Sequence, residues 1–239
     1  MPREADVSFR GSLRHALADP LGGSMARHFA IPAVTAIVAD GEFGEPDRIA
    51  LSELTEAMVR AGVPRGRMFV LLTGEAAPDE ARRARARELR GLLGMPVIAH
   101  DPAQAGFTPG RAADGVALSL DDELREAESV VVCGPLGADR GGIVRGGPAA
   151  LLPGLADGPT RAALEASLAA LTEPAARARA AFAMALAATE HVAIDFALVW
   201  NAGDPPAVKA GAGRAVFEAC EAAGWLAPPA AAGAPAGRA

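Results

Sequence analysis

A short apolar strand that leads directly into a glycine-rich loop is the feature of this sequence that most restricts its fold. Residues Ser129 to Cys133 read SVVVC, and the loop that follows, up to Gly154, contains many closely spaced glycines. A continuous β-branched run of this kind is typical of a strand that is buried on both faces of a sheet. Glycines after such a strand let backbone N–H groups approach an anion closely, which favours an anion-binding loop. A flexible surface loop is the alternative that glycine content alone leaves open.

Similar apolar runs alternate with helical patterns along the chain. Further strands are predicted over Ala33–Ala39, Met68–Thr73, Pro96–Ala99, Val192–Trp200 and Ala207–Ala210. Helices are predicted over Ala50–Ala61, Asp79–Leu93, Leu120–Glu128, Thr160–Leu171, Ala175–Thr189 and Gly213–Ala223. Strand–helix–strand order produces parallel pairing with right-handed crossovers. The sequence therefore predicts an α/β fold with a mainly parallel sheet flanked by helices.

Composition limits the domain count and the class of partner. The chain has 239 residues, of which 51% are apolar, and we expect one domain over residues 1–226 with a disordered Ala/Pro/Gly tail over residues 227–239. A formal net charge of −6 argues against a nucleic-acid partner. No apolar run is long enough for a membrane span and no signal peptide is recognisable, so we expect a cytoplasmic protein. The two distant cysteines, Cys133 and Cys220, are expected to be reduced core thiols rather than a disulfide.

The order of residues in the glycine-rich loop resembles that of the lactate racemase family. In that family a buried strand ends in glycine and is followed by a catalytic histidine, then by a Gly-Gly-x-Lys segment whose lysine tethers a nickel-pincer nucleotide, then by Pro-Gly. Gly134, Gly146-Gly147 and Pro153-Gly154 occur here in the same order. Weaker similarity extends over most of residues 10–225. The resemblance implies the fold of the family's N-terminal α/β domain.

The family's chemical groups are absent at the matching positions. Ala149 stands at the position of the tethering lysine, and Glu165 at that of the nickel-binding histidine. Asp139 and Ala76 replace the two catalytic histidines, and the one lysine of the chain, Lys209, lies far from the loop. The resemblance therefore implies a degenerate active site. We expect no metal site and no covalently bound cofactor.

The candidate site is predicted from strand ends and loop residues. Tentative catalytic residues are Asp139, Glu165 and His100, and candidate ligand-binding residues are Asp40, Gly74, Arg140, Arg145, Gly146 and Gly147. Loops that follow parallel strands meet at the carboxyl edge of the sheet. We therefore expect Asp40, Gly74 and the glycine loop to lie together and to bind a small anion, such as a hydroxy acid or phosphate.

Several of these residues also allow structural interpretations. Asp40 begins an acidic loop that is either a metal-binding rim or a set of solvated carboxylates. His100 with Asp101 forms either a functional His–carboxylate pair or a structural one. Asp139 and Arg140 either act on a ligand or form a salt-bridged loop tip. Five arginines over residues 82–90 favour a solvated helix face over an anion site.

Three functional hypotheses follow. The first is a divergent lactate racemase-like protein that does not racemise lactate and binds a small anion or a protein partner. The second is an active isomerase on another 2-hydroxy acid, in which Asp139, Glu165 and His100 take the missing roles. The third is a non-catalytic subunit that is completed by another chain, as a homo-oligomer or with a different partner.

Overall fold

The computed structural model of the chain describes residues 4–30, 33–42, 44–74, 79–104, 106–111, 117–201 and 206–228. In chain order its strands are β1 (Thr35–Ala39), β2 (Met68–Leu72), β3 (Val97–Ala99), β4 (Phe107–Arg111), β5 (Ala117–Leu120), β6 (Ser129–Pro135), β7 (Gly137–Ala138), β8 (Val144–Arg145), β9 (Phe196–Trp200) and β10 (Val208–Gly211). Its α-helices are α1 (Glu4–Ala18), α2 (Met25–His28), α3 (Glu45–Arg60), α4 (Glu80–Leu93), α5 (Gly158–Leu168), α6 (Pro174–Ala188) and α7 (Gly213–Ala222).

Six strands form the central sheet in the spatial order β10-β9-β6-β1-β2-β3. All neighbouring pairs are parallel except β9 and β10, which are antiparallel. Strands β4 and β5 form a separate hairpin, and β7 and β8 form a short ribbon inside the glycine-rich loop. The mainly parallel α/β fold predicted from the sequence is confirmed.

Both faces of the sheet are covered, as the continuous apolar strands predict. Ile37 and Ala39 of β1 pack with one buried cluster that includes residues of α1, α3 and α4. Ala36 and Val38 pack with a second cluster, which includes residues of α6, α7 and the glycine-rich loop. Side chains alternate between the two faces of a strand, so both faces need apolar residues, and residues 36–39 of β1 are all apolar.

Two helix predictions need correction. Residues Leu120–Glu128 do not form an α-helix, because Leu120 ends β5 and the Asp121 carboxylate then accepts the backbone N–H of Glu123 at 3.0 Å, which starts a single 3₁₀ segment, Asp122–Glu126. Helix α3 begins before the predicted Ala50 because its first turn contains Pro46 and is capped by Asp47, whose Oδ2 accepts the N–H of Gly44 at 2.8 Å.

Both cysteines are buried free thiols, as expected from their spacing. The predicted tail falls mostly on residues 229–239, which lie outside the described residues. Among the helices that the structure describes, none is long and apolar enough to cross a membrane.

Helix α1, which the sequence patterns do not predict, is anchored on α3 by a buried carboxylate. The Glu53 side chain is 8% exposed and accepts hydrogen bonds from Arg10 at 2.9 Å and from Arg14 at 2.9 and 3.0 Å. Phe9, on the same helix, packs edge-on against Trp200 with ring centroids 5.5 Å apart. Burial alone would raise the pKa of the Glu53 carboxyl, but the hydrogen bonds and charges of the two arginines lower it below its usual range.

Replacing Glu53 with Gln is expected to lower the free energy of unfolding at neutral pH by about 1–2 kcal/mol, because two charge-assisted contacts lose their anion. Since the carboxyl pKa is depressed in the folded protein, this contribution is present at neutral pH. It is lost as the pH falls below the carboxyl's ordinary range and through its folded value. Chemical denaturation at several pH values measures both effects.

Glu80→Gln is the matched control. Glu80 also pairs with an arginine, Arg87, at 2.6 Å, but its side chain is 75% exposed, so its removal is expected to leave stability nearly unchanged. Equal losses in the two variants would contradict the role given to burial.

Candidate functional site

A cavity of about 270 Å³ opens at the carboxyl edge of the parallel sheet. It is lined by strand ends, by the glycine-rich loop and by arginines of two helices: Asp40, Glu42, Thr73, Gly74, Arg82, Val132, Cys133, Gly134, Pro135, Ile143, Val144, Arg145, Gly146, Ala149, Ala150, Pro153, Gly154 and Arg161. The cavity is therefore in the place where open α/β sheets hold ligands.

The register of the sheet brings the strand ends together. Ala39 at the end of β1 lies opposite Leu72 of β2 and opposite Cys133 of β6. The next residues along the chain, including Asp40 and Gly134, therefore emerge side by side. Asp40, Gly74 and the glycine-rich loop surround one cavity, which is the placement that the sequence predicts.

Glycines shape the loop around this cavity in two different ways. Gly146 has φ +70°, and a Cβ there would lie 1.6 Å from the carbonyl oxygen of Pro135, so the backbone passes where no side chain fits. A Cβ on Gly154 would lie 2.1 Å from the carbonyl oxygen of Ala150. At Gly134, by contrast, a Cβ would have no heavy atom within 4 Å. Gly134 therefore leaves open space beside the strand end, where a ligand can approach the backbone.

Arg161, at the start of α5, supplies a nearly buried positive charge to the cavity. Its side chain donates from Nε to the carbonyl of Ala156 at 2.8 Å and from Nη2 to the carbonyls of Gly154, at 2.9 Å, and Gly74. The residue is 8% exposed. Because the guanidinium bonds both the turn after β2 and the end of the glycine-rich loop, it holds these two walls of the cavity together. Sequence patterns do not identify Arg161, since its partners are as many as 87 residues away.

Arg82 is a second residue that the sequence assigns differently. It belongs to the arginines of α4 that were expected to form a solvated helix face, yet it is half-buried and lines the cavity. Its Nη1 donates to the carbonyl of His100 at 3.3 Å. A Cβ on Gly74 would lie 1.8 Å from the same nitrogen, so only glycine allows this approach. The missing side chain at Gly74 therefore leaves the space that the Arg82 guanidinium occupies.

The mouth of the cavity carries an exposed ion pair and no cluster of metal ligands. Arg145 lies 3.5 Å from Glu42, and both side chains are more than half exposed. Asp40 accepts the backbone N–H of Glu42 at 2.9 Å, so its carboxylate closes the turn after β1. Within the residues that the structure describes, no three His, Cys, Asp or Glu side chains are grouped so that they can hold a metal ion.

Cys133 is among the residues that line the cavity, and its thiol is buried. Burial, together with the nearby negative charge of Asp47, raises the pKa of this thiol well above its ordinary value. The thiol therefore stays protonated at neutral pH and is a poor nucleophile.

The three predicted catalytic residues do not meet at this cavity. The Asp139 carboxylate accepts the backbone N–H groups of Gly141 at 2.8 Å and Ile143 at 2.9 Å, which closes the turn of the β7–β8 ribbon. Glu165 is exposed on α5. None of the three, including His100, is among the residues that line the cavity. Their catalytic roles stay predictions.

Two predicted ligand-binding residues also lie outside the cavity lining. Arg140 is exposed at the tip of the β7–β8 ribbon. Gly147 is buried, and its Cα faces the side chains of Leu136 and Phe217 rather than the cavity.

His100 lies beneath a neighbouring, smaller cavity of about 120 Å³ and is 2% exposed. Its carboxylate partner is Asp121 and not the adjacent Asp101 that the sequence suggests, because Nδ1 lies 2.6 Å from Asp121 Oδ2. Its other ring nitrogen, Nε2, lies 3.1 Å from the carbonyl oxygen of Ala156.

The fold and the loop define a three-layer α/β protein with an arginine-lined cavity at the ends of its parallel strands. No protein-family model and no curated protein matches the sequence. A similar solved structure is that of the lactate racemase apoprotein from Thermoanaerobacterium thermosaccharolyticum, with a TM-score of 0.73 and 17% sequence identity. The alignment covers 89% of this chain and 54% of that chain, so this chain spans about half the length of that structure. This likeness establishes the fold alone.

Replacing Gly146 with Ala is expected to lower the free energy of unfolding by about 2 kcal/mol or more, because the new Cβ would be strained and would collide with the carbonyl of Pro135. Gly134→Ala is the matched control, since its Cβ meets open space, and we expect a change of less than about 1 kcal/mol. Denaturant melts of both variants measure the difference. Similar stabilities would show that the loop does not hold the conformation described.

Proposed function

We propose that this chain is a divergent lactate racemase-like protein that binds a small anion in the cavity at the carboxyl edge of its sheet. The observation that carries the proposal is the set of three arginines, Arg82, Arg145 and Arg161, that line this one cavity. Among the described residues of the lining, they outnumber the carboxylates, which are Asp40 and Glu42. Guanidinium groups bind carboxylates and phosphates through charge-assisted hydrogen bonds, and these bonds strengthen where water is excluded.

The size of the cavity favours a small ligand. Its volume of about 270 Å³ is below the range of sites for drug-sized molecules. The open space at Gly134 adds a backbone approach beside the arginines. This arrangement suits the charge and size of a hydroxy acid or a phosphate. Because the site is concave, it favours such a small ligand over a protein partner.

Racemisation by the family mechanism is not part of the proposal. The resemblance places the cofactor tether at the position of Ala149, which is buried and lines the cavity with a methyl group. Glu165, at the position of the nickel ligand, is an exposed residue of α5. Ala76, at the position of a catalytic histidine, lies outside the described residues. The residues present therefore do not fit the nickel-pincer nucleotide, and we derive no step through it.

Anion binding is tested by thermal unfolding with sodium phosphate, lactate or chloride at constant ionic strength. We expect phosphate or lactate to raise the melting temperature beyond chloride, because a ligand that binds only the folded state stabilises it. Arg145→Gln is expected to weaken the binding about three- to tenfold, through the loss of one charged donor. Arg179→Gln is the control, since Arg179 is 67% exposed and belongs to α6 rather than to the cavity lining.

Two results would contradict the proposal. One is equal stabilisation by all three salts. The other is stabilisation by nickel or zinc chloride with none by phosphate or lactate.

The absence of a covalent cofactor is tested by mass. The protein is produced in cells that also make the pincer nucleotide, and its intact mass is expected to equal that of the unmodified chain, because Ala149 offers no amine and Lys209 is the one lysine of the sequence. The same cells producing a lactate racemase serve as the positive control. An adduct of nucleotide size together with lactate racemisation would refute this expectation.

A further inference from the structure

His100 contacts two hydrogen-bond acceptors, one on each side of its ring. Nδ1 lies 2.6 Å from the Asp121 carboxylate, and Nε2 lies 3.1 Å from the carbonyl oxygen of Ala156. A carbonyl oxygen cannot donate a hydrogen bond, so Nε2 must carry a proton for that contact to be favourable. In a neutral imidazole the other nitrogen would then direct its lone pair at the carboxylate. Both contacts are satisfied together only when the pair holds one additional proton.

The geometry around Asp121 favours the imidazolium form. The second carboxylate oxygen, Oδ1, accepts the backbone N–H of Glu123 at 3.0 Å, so this oxygen carries no proton. The additional proton therefore lies between Asp121 Oδ2 and His100 Nδ1, and we place it on the ring nitrogen.

Charges from every neighbouring element act on this ring. The carboxylates near it are those of the strand's own loop, of the 3₁₀ segment and of the start of α5: Asp101, Asp121, Asp122, Glu123 and Asp157. They favour the charged ring. Burial would raise the pKa of the Asp157 carboxyl, but hydrogen bonds from Thr160 and Ser119 and the charge of His100 lower it below its usual range. The arginines Arg82 and Arg161 oppose the charge, and the carboxylates outnumber them.

The same contacts connect His100 to two arginines of the anion site, Arg161 and Arg82. The carbonyl of Ala156 accepts from His100 Nε2 and also from Arg161 Nε, at 2.8 Å. The backbone carbonyl of His100 accepts from Arg82 Nη1 at 3.3 Å. If the ring loses its proton and keeps Nδ1–H on Asp121, the lone pair of Nε2 faces the Ala156 carbonyl and repels it. The Ala156 carbonyl also accepts a hydrogen bond from Arg161. Movement of this carbonyl therefore displaces the Arg161 guanidinium, which lines the cavity.

We propose that the proton held by His100 against Asp121 positions Arg161 for anion binding, so that the affinity of the cavity falls when His100 deprotonates. The inference rests on the proposed anion-binding function and adds its regulation by pH. His100 is a positioning residue here, because it does not line the cavity itself.

The proton is tested without any ligand. In ¹⁵N spectra of the full chain at neutral pH, both ring nitrogens of His100 are expected to be protonated, with the signals assigned by their loss in His100→Gln. Raising the pH is expected to remove one of the two ring N–H signals. A single protonated nitrogen at neutral pH would overturn the inference.

The coupling is tested by titrating the wild-type protein with sulfate and with lactate, whose charges stay constant across the histidine range. The affinity is expected to fall as the pH rises, in parallel with the loss of the second ring N–H signal of His100. Binding that does not change with pH would overturn this inference and leave the proposed function intact. No binding of either anion at any pH would overturn both.

Two variants separate a positioning role from a merely structural one. The amide nitrogen of Gln reaches the place of Nε2, so His100→Gln is expected to keep the bond to Ala156, retain the affinity and lose its pH dependence. The amide of Asn reaches only the place of Nδ1, so His100→Asn is expected to bind about tenfold more weakly, through loss of one hydrogen bond. Circular dichroism confirms that both variants are folded. Equal affinities in the two folded variants would contradict the proposal, and if either fails to fold, the wild-type pH profile decides.

Discussion

The register of β1 is the constraint on which the rest of this structure depends. Its first residue, Thr35, lies opposite the first residues of both neighbours, Met68 and Ser129, so the three strands begin together. Strands β1 and β2 also end together, and β6 continues two residues further, to Pro135. All five residues of β1 are buried between two apolar layers. A shift of one residue would send every side chain to the opposite layer, so packing on both faces secures this register. Because the strands are parallel and in this register, the loops after them converge at one edge of the sheet, and the cavity forms where they meet.

Arg161 shows how a nearly buried positive charge can be stabilised at the edge of a core. Its guanidinium donates to carbonyls of Gly74, Gly154 and Ala156, which belong to two different loops. Carbonyl dipoles compensate for lost hydration while leaving the positive charge in place. The interaction therefore serves both the fold and the site: it joins the loops and gives their cavity a positive potential. The Ala156 carbonyl also serves two contacts, because it lies within hydrogen-bond distance of both His100 Nε2 and Arg161 Nε.

Fold and chemistry are specified by different residues in this chain. Its backbone is similar to that of a lactate racemase apoprotein at 17% identity, a level at which few side chains are shared. Such likeness carries the architecture, whereas reactivity depends on particular side chains. Of the described residues that line this cavity, Ala149 contributes a methyl group and Cys133 a buried thiol that stays protonated at neutral pH. Three arginines also line it, which suits the proposed binding of an anion.

Local sequence signals predict the layers of this protein and the place of its cavity, because apolar runs and glycines act over a few residues. The run that ends at Cys133 predicts a buried strand. Asp40, Gly74 and Gly146 are predicted at one sheet edge because parallel strands bring their ends together.

Which side chains face the cavity depends on how the layers pack in three dimensions. Arg82 looked like one more solvated arginine of α4, and His100 looked paired with Asp101. Each finds its partner across a loop or a crossover, at separations where spacing along the chain carries no information about distance. Hydrogen bonds of this kind are set by how the layers pack, and that is why the arginine lining became visible only in the folded molecule.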